Sequence, residues 1–186
     1  MKKVYAILMV LMLTIAATAQ TLNVTEGNVT YLFPASQTGD MTFANGETVT
    51  IMGKTFTLSD VNMKVDDSKV TDNSIQVAYD GSSALVTVAG NVAQYVTPTV
   101  SGAHVSIAQS DDLAEEITYT LSGTSTDGEF YMSGSYKATI ELNGLTLTNT
   151  TPIYSGAAVH IQNGKRIKVK VVTGTTNTLV DAAGGS

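Results

Sequence analysis

A strand-and-corner unit recurs about every 20 residues in the C-terminal third of this sequence. Its corners are Leu121-Ser122-Gly123, Leu142-Asn143-Gly144 and Gln162-Asn163-Gly164, and alternating apolar residues precede each one. A period of about 20 residues with strand, corner and strand in every unit is typical of a β-solenoid, whose coils bury their apolar edges by stacking. Two-residue hairpins at the Asn-Gly pairs are the alternative, because Asn-Gly is the strongest short hairpin signal. The spacing alone leaves both interpretations open.

Short alternating strands also fill the sequence before this repeat. Residues 29–33 alternate up to Pro34, and Asp80-Gly81 separates two alternating runs, which predicts a hairpin. Thr and Val are abundant, and β-branched residues favour a pleated sheet over a helix. We therefore predict an all-β fold with a small β module over residues 20–105, a connector over 106–116 and the opening coils of a solenoid over 117–186. A β-sandwich is the alternative.

The first nineteen residues have the pattern of a secretory signal peptide. Lys2 and Lys3 precede an apolar stretch over residues 4–15, and small residues ending in Ala19 follow it. We expect cleavage after Ala19 and export to the periplasm, the cell surface or the medium. The apolar stretch is shorter than the roughly 20 residues that a membrane-spanning helix needs, so no stable membrane insertion is expected.

Charge and cysteine content exclude several classes of partner and site. Without Lys2 and Lys3 the chain keeps 8 of its 10 basic residues against 16 acidic ones, a formal charge of about −8. Such a balance disfavours nucleic acid, whose binding requires clustered positive charge. The sequence contains no cysteine, which excludes disulfides and thiolate metal sites. His104 and His160 are far apart in sequence and do not indicate a zinc site.

The amino-acid sequence of residues 119–181 resembles that of a known bacterial family. The segments that carry the likeness are Tyr119-Thr-Leu-Ser-Gly-Thr-Ser-Thr-Asp127-Gly128, Ile140-Glu-Leu-Asn-Gly144-Leu-Thr-Leu-Thr-Asn149, Ala157-Ala-Val-His-Ile161 and Thr175-Thr-Asn-Thr-Leu179-Val-Asp181. They resemble the opening coils of a carbohydrate-binding domain family with a right-handed parallel β-helix similar in shape to pectate lyases. This resemblance favours the solenoid over hairpins. Because that family continues with further coils, the sequence is interpreted as an N-terminal fragment of a longer protein.

The resemblance implies binding of acidic, polygalacturonate-like polysaccharide, with calcium as the implied cofactor. No ligand position of that family transfers to a numbered residue here. We expect a non-catalytic carbohydrate-binding protein, and a structural or adhesive surface protein is the alternative. A polysaccharide lyase ranks third, because a lyase needs a base beside an acidic calcium cluster and the chain has a single arginine.

One basic run provides the candidate ligand-binding residues. Period-two geometry places Arg166, Lys168 and Lys170 on one face of a strand at a spacing of about 7 Å. These cations suit the carboxylates of an acidic polysaccharide, and Arg166 offers a bidentate fork. A merely solvated outer face is the alternative interpretation.

Acidic turns and tyrosines are further candidates. The turns around Asp66-Asp67, Asp111-Asp112 and residues 126–129 lack the spacing of a calcium loop, and we interpret them as solvated. No pair of carboxylates indicates a glycosidase, and no catalytic residue is assigned. Tyr131 and Tyr136 flank Gly134 in a predicted exposed turn, where they offer flat surfaces to sugar rings. For the tyrosines as a set, packing at the boundary of the core is the favoured interpretation.

Overall fold

The structure, a computed structural model, describes residues 20–39 and 41–184, so the predicted signal peptide lies outside the described residues. In chain order the strands are β1 (Thr21–Glu26), β2 (Val29–Pro34), β3 (Thr42–Ala44), β4 (Thr48–Ile51), β5 (Lys54–Thr57), β6 (Val61–Asp66), β7 (Ser74–Asp80), β8 (Ser83–Ala89), β9 (Val96–Ser101), β10 (His104–Gln109), β11 (Ile117–Ser125), β12 (Glu129–Gly134), β13 (Ala138–Thr148), β14 (Val159–Asn163), β15 (Ile167–Val171) and β16 (Thr178–Val180). A 3-10 helix at Gly90–Tyr95 separates β8 from β9. The all-β prediction is confirmed. Within the described residues, no helix has the length and apolar character needed to cross a membrane.

Three sheets contain these strands. The large sheet has the order β15-β13-β11-β7-β8-β2-β1-β6, with β16 also paired to β13. A four-stranded sheet has the order β14-β12-β10-β9, and β3, β4 and β5 form a small antiparallel sheet. In the large sheet β7, β11, β13 and β15 are parallel neighbours, and in the four-stranded sheet β10, β12 and β14 are parallel.

From β10 to β15 the chain alternates between the four-stranded sheet and the large sheet. In the four-stranded sheet β12 is parallel to β10 and β14 to β12. In the large sheet β13 is parallel to β11 and β15 to β13. The inward side chains of the two sheets share one buried apolar core, in which the rings of Tyr119 and Phe130 lie 6.0 Å apart between centroids. Gln109 Nε2 donates to the Tyr119 hydroxyl at 3.0 Å, which satisfies a polar group inside this core.

The hairpin predicted at Asp80-Gly81 is confirmed. β7 and β8 are antiparallel, with Asp80 opposite Ser83, and Gly81 has φ 62°. The alternating residues Ile75 and Val77 are fully buried. Gly tolerates positive φ because it lacks a Cβ, so this turn closes without strain.

The Asn143-Gly144 pair is not a hairpin, because β13 runs continuously through it. Leu142 pairs with Leu121 as the predicted repeat requires, and the register shifts after Asn143 because Gly144 is an extra residue. The first two predicted corners lie inside the continuous strands β11 and β13, whereas the third is a turn between β14 and β15 and is out of step with the other two. Asn163 belongs to β14 and pairs with Gly134 in the four-stranded sheet. The long loop between β13 and β14 lengthens the third unit, so its true counterpart of Leu142 is Val171.

The segment between β10 and β11, which lies in the predicted connector, forms a turn, and residues 106–109 of the connector belong to β10. The Leu113 N–H donates to the Ser110 carbonyl at 3.1 Å, and the Asp112 N–H donates to the Ser110 hydroxyl at 3.2 Å. The Ser110 carbonyl and hydroxyl together thus close this turn. The division of the chain into two modules stays a prediction, and β7 pairs directly with β11 across its proposed boundary.

Candidate functional site

The outer face of the four-stranded sheet carries a polar and aromatic row. Phe130 and Met132 of β12 are fully buried, so the alternate residues of this strand point away from the core. The parallel and antiparallel registers align one outward residue from each strand. These residues are Thr99, Ser106, Tyr131 and His160.

Three aromatic rings lie together on this face. The Tyr131 ring lies 5.3 Å from the His160 ring between centroids, with an angle of 18° between the planes. Tyr154 lies 5.7 Å from Tyr131 at 28°. Such separations are typical of offset stacking, which leaves part of each ring uncovered. All three side chains are partly exposed, and we call them the aromatic platform.

Tyr154 reaches this face on the loop between β13 and β14, which a buried carboxylate holds. Glu129 is fully buried at the start of β12. It accepts backbone N–H groups from Ile153 at 2.6 Å, Tyr154 at 2.8 Å and Ser155 at 3.2 Å. Hydrogen bonds to a charged acceptor are stronger than neutral ones, so Glu129 fixes the position of Tyr154.

Two further side chains complete the surroundings of Glu129. His104 Nδ1 lies 3.1 Å from Glu129 Oε1, and Asn149 Nδ2 donates to Oε2 at 3.2 Å. Burial by itself raises the pKa of Glu129, but the N–H donors of Tyr154, Ile153 and Ser155, together with His104, outweigh it and lower the pKa. Glu129 is therefore held as a carboxylate.

Asp127 fastens the beginning of the same loop. Its carboxylate accepts the Thr151 hydroxyl, the Thr151 N–H at 2.9 Å and the Thr150 N–H at 3.1 Å. The Thr151 hydroxyl, followed by these N–H groups, holds the pKa of Asp127 below its usual range. We call Asp127 and Glu129 the loop anchor. His104 lies between them, with Nε2 at 3.8 Å from Asp127 Oδ1.

The carboxylates of the loop anchor are candidates for the calcium ligands that the family resemblance implies. Asp127 and Glu129 belong to one of the acidic stretches considered for calcium, and their oxygens accept N–H and O–H donors. Within residues 20–39 and 41–184 no group of three or more histidine or acidic side chains has metal-binding geometry. Calcium binding stays a prediction.

The three candidate cations occupy different settings. Lys168 and Lys170 are exposed on β15, whereas Arg166 precedes the strand, which begins at Ile167. Lys170 Nζ lies 2.9 Å from Glu141 Oε1 on the neighbouring strand. The basic row is therefore partly neutralised, and its role in ligand binding stays a prediction.

Tyrosine roles follow the sequence interpretation only in part. Tyr31, Tyr79 and Tyr119 are buried, as the packing interpretation predicts. Tyr136 packs against the core and does not join Tyr131. The alternation around His160 places this residue outward, but no local signal identifies Tyr154, because the loop anchor determines its position over a long sequence separation.

Comparison with known families bears on this same region. Residues 101–185 match the family model of carbohydrate-binding domain-containing proteins. This match supports a carbohydrate-binding family for the segment, which contains the whole aromatic platform and the loop anchor. No curated protein and no solved structure matches the chain.

Proposed function

We propose that this chain binds carbohydrate at the aromatic platform and does not catalyse a reaction. The observation that carries the proposal is the stack of Tyr154, Tyr131 and His160 on an open face within the segment that matches a carbohydrate-binding family. Aromatic rings offer apolar surface to the C–H faces of sugars, and the Tyr hydroxyls add polar contacts.

Polar neighbours of the platform suit sugar hydroxyl groups. The Tyr131 hydroxyl donates to Gln162 Oε1, which leaves the Gln162 amide nitrogen as a donor. Ser106 and Thr99 continue the row across the sheet and supply hydroxyls. An open row that crosses four strands suits an extended polysaccharide chain better than a single enclosed sugar.

The loop anchor supports the non-catalytic part of the proposal. A glycosidase needs two carboxyl groups that flank the scissile bond across a groove. Glu129 is fully buried, and both its oxygens accept hydrogen bonds from the protein. Asp127 is likewise engaged with the loop backbone. Positioning the loop accounts for both carboxylates without a chemical step.

We further propose that residues 104–180 form the opening coils of a right-handed parallel β-helix. The support is the alternation of the chain between two parallel stacks, one of β10, β12 and β14 and one of β11, β13 and β15. A solenoid presents long, regular faces to its ligand. Export through the predicted signal peptide would bring such a face to extracellular polysaccharide.

A second contact through the basic strand extends the proposal to acidic polysaccharide. Lys168 is exposed, and no acidic partner lies within ion-pair distance of it or of Arg166 in the described part of the chain. Contacts between exposed charges weaken as salt screens them. Binding of polygalacturonate through these residues should therefore be salt-sensitive, whereas binding through the platform should persist.

The test compares Tyr131→Ala with Tyr136→Ala as the matched control. Isothermal titration with polygalacturonate and with a neutral xylan should show a loss of affinity of up to about tenfold for Tyr131→Ala alone, because a stacked ring contributes about 0.5–1.5 kcal/mol. The triple Ala variant of Arg166, Lys168 and Lys170 should lose only the salt-sensitive binding of polygalacturonate.

Two outcomes would contradict the proposal. Unchanged affinity in a folded Tyr131→Ala protein would remove the platform as the binding surface. A folded wild-type protein without affinity for either polysaccharide would favour the structural or adhesive alternative. Release of unsaturated products that absorb in the near ultraviolet would instead indicate a lyase.

A further inference from the structure

A shallow pocket lies beside the aromatic platform, between the loop that joins β13 to β14 and residues 182–184. Its volume is about 310 Å³, and we call it the Ile153 pocket. Tyr154 belongs both to the platform and to this pocket, so the pocket extends the platform directly. The residues that line it include Pro152, Ile153, Tyr154, Ser155, Ala182 and Ala183.

Hydrogen bonds fix both walls of the Ile153 pocket. The loop anchor holds one wall through the backbone N–H groups of residues 153–155. The other wall is tied to the same loop, because the Ala182 N–H donates to the Gly156 carbonyl at 2.8 Å. Asp181 Oδ1 also accepts the Ala158 N–H at 2.8 Å. The pocket is therefore formed by the fold itself, as most ligand sites are.

The Ile153 side chain is the largest aliphatic surface in this pocket. It is 53% exposed, although its backbone N–H donates to the buried Glu129 carboxylate at 2.6 Å. The loop anchor therefore holds an apolar side chain in water instead of burying it. Pro152, Ala182 and Ala183 continue the apolar lining around it. A fixed apolar surface beside a stack of aromatic rings suits an apolar group of the same ligand.

Polarity and charge restrict which group fits the pocket. Ser155 Oγ accepts the Ala157 N–H at 3.3 Å, and its own proton has no acceptor among the described residues, so the hydroxyl remains a donor. Within residues 20–39 and 41–184 no charged side chain lines the pocket. The side chains that fasten its walls, Glu129 and Asp181, are carboxylates. An anionic group would thus meet like charge and no cation.

We propose that the Ile153 pocket is a specificity subsite that binds an O-acetyl group of a polysaccharide held at the aromatic platform. The acetyl methyl group contacts the apolar lining around Ile153, and the ester carbonyl oxygen accepts the Ser155 hydroxyl. A free uronate carboxylate gains nothing at this position. The proposal rests on the proposed function, and it names acetylated polysaccharide as the ligand class.

The experiment is isothermal titration of the purified protein with acetylated xylan and with the same xylan after alkaline removal of its acetyl groups. The wild type should bind the acetylated form about fourfold more tightly, because the pocket removes one methyl group from water. Ile153→Ser and Ser155→Ala should each bring this ratio close to one. Val169→Ser is the matched control and should keep the ratio, since Val169 is similarly exposed but does not line the pocket.

A ¹H–¹⁵N NMR titration locates the acetyl group. Acetylated xylotriose should shift the backbone signals of Gly156, Ala182 and Ala183, and plain xylotriose should leave them in place. Equal affinity of the wild type for the two xylans, with binding still lost in Tyr131→Ala, would overturn the subsite and leave the platform standing. A preference that persists in both pocket variants would overturn the subsite as well. Binding of neither xylan would overturn the subsite together with the proposed function.

Discussion

At the scale of single residues, Gly123 of β11 lies where the neighbouring strand β7 leaves no room for a Cβ. Its φ is 87°, and a Cβ at this position would lie 2.1 Å from the Tyr79 carbonyl oxygen on β7. Gly144 on the neighbouring strand β13 also has positive φ, 70°, but a Cβ there would meet nothing within 4 Å. The two glycines therefore separate the effect of strain from the effect of a clash.

Gly123→Ala should destabilise the protein by about 2–4 kcal/mol, because positive φ and a backbone clash add together. Gly144→Ala is the control, and only its positive φ applies, at about 1 kcal/mol. Urea unfolding followed by circular dichroism measures both free energies of unfolding. Equal losses in the two variants would show that β7 and β11 separate easily.

At the scale of elements, the loop between β13 and β14 depends on the loop anchor rather than on its own sequence. Glu129 replaces the water that would otherwise satisfy three successive N–H groups. Removing a buried acceptor leaves its donors unsatisfied, and that penalty exceeds the net value of the hydrogen bonds themselves.

Glu129→Gln should cost about 3 kcal/mol at pH 7, because an amide cannot accept every N–H and brings its own donors. The folded-state pKa of Glu129 is lowered, so its contribution is fully present above its ordinary pKa of 4.5 and is lost as the pH falls through the lower folded pKa. The stability difference between wild type and variant should therefore narrow as the pH falls below about 4.

Denaturant unfolding at pH 7, 5, 4 and 3 measures this difference. Glu141→Gln is the control, since Glu141 is partly exposed and pairs with Lys170 at the surface. Exposed ion pairs contribute about 0–1 kcal/mol, so the control should show a small and nearly constant difference. A Glu129→Gln difference that does not change with pH would show that the loop does not depend on the charge.

Local patterns in the sequence predicted the strands well because alternation and turn residues act over a few positions. The hairpin at Asp80-Gly81 and the pairing of Leu121 with Leu142 follow from such signals. The phase of the third repeat unit does not follow from them, since it depends on the length of the loop before β14. The position of Tyr154 beside Tyr131 does not follow from local patterns either, because it depends on a hydrogen bond from the Tyr154 N–H to Glu129, which is distant in sequence.

At the scale of the whole molecule, burial falls off along a row that crosses the large sheet. Ile75, Tyr119, Ile140 and Val169 occupy successive strands in one inward row. The first three are at most 1% exposed, whereas Val169 is 62% exposed. An inward-facing side chain therefore contributes more to the free energy of unfolding at the buried end of the row than at Val169.

Ile140→Ala should cost about 2–5 kcal/mol, because it leaves a cavity in a packed core. Val169→Ala should cost less than about 1 kcal/mol, since most of its surface is already in water. Guanidinium unfolding of both variants provides the comparison. A large loss for Val169→Ala would show that another surface covers Val169 in solution.

The bulge at Gly144 has a consequence for changes in chain length. Gly144 has no counterpart on β11, and after it the inward residues change from Ile140 and Leu142 to Leu145 and Leu147. Loss of Gly144 would leave Leu142, Asn143 and Leu145 in regular alternation, with every apolar side chain still facing inward. Loss of Thr146 would turn Leu147 toward solvent. Strand β13 thus tolerates a shorter chain within the Asn143-Gly144 bulge and not at Thr146.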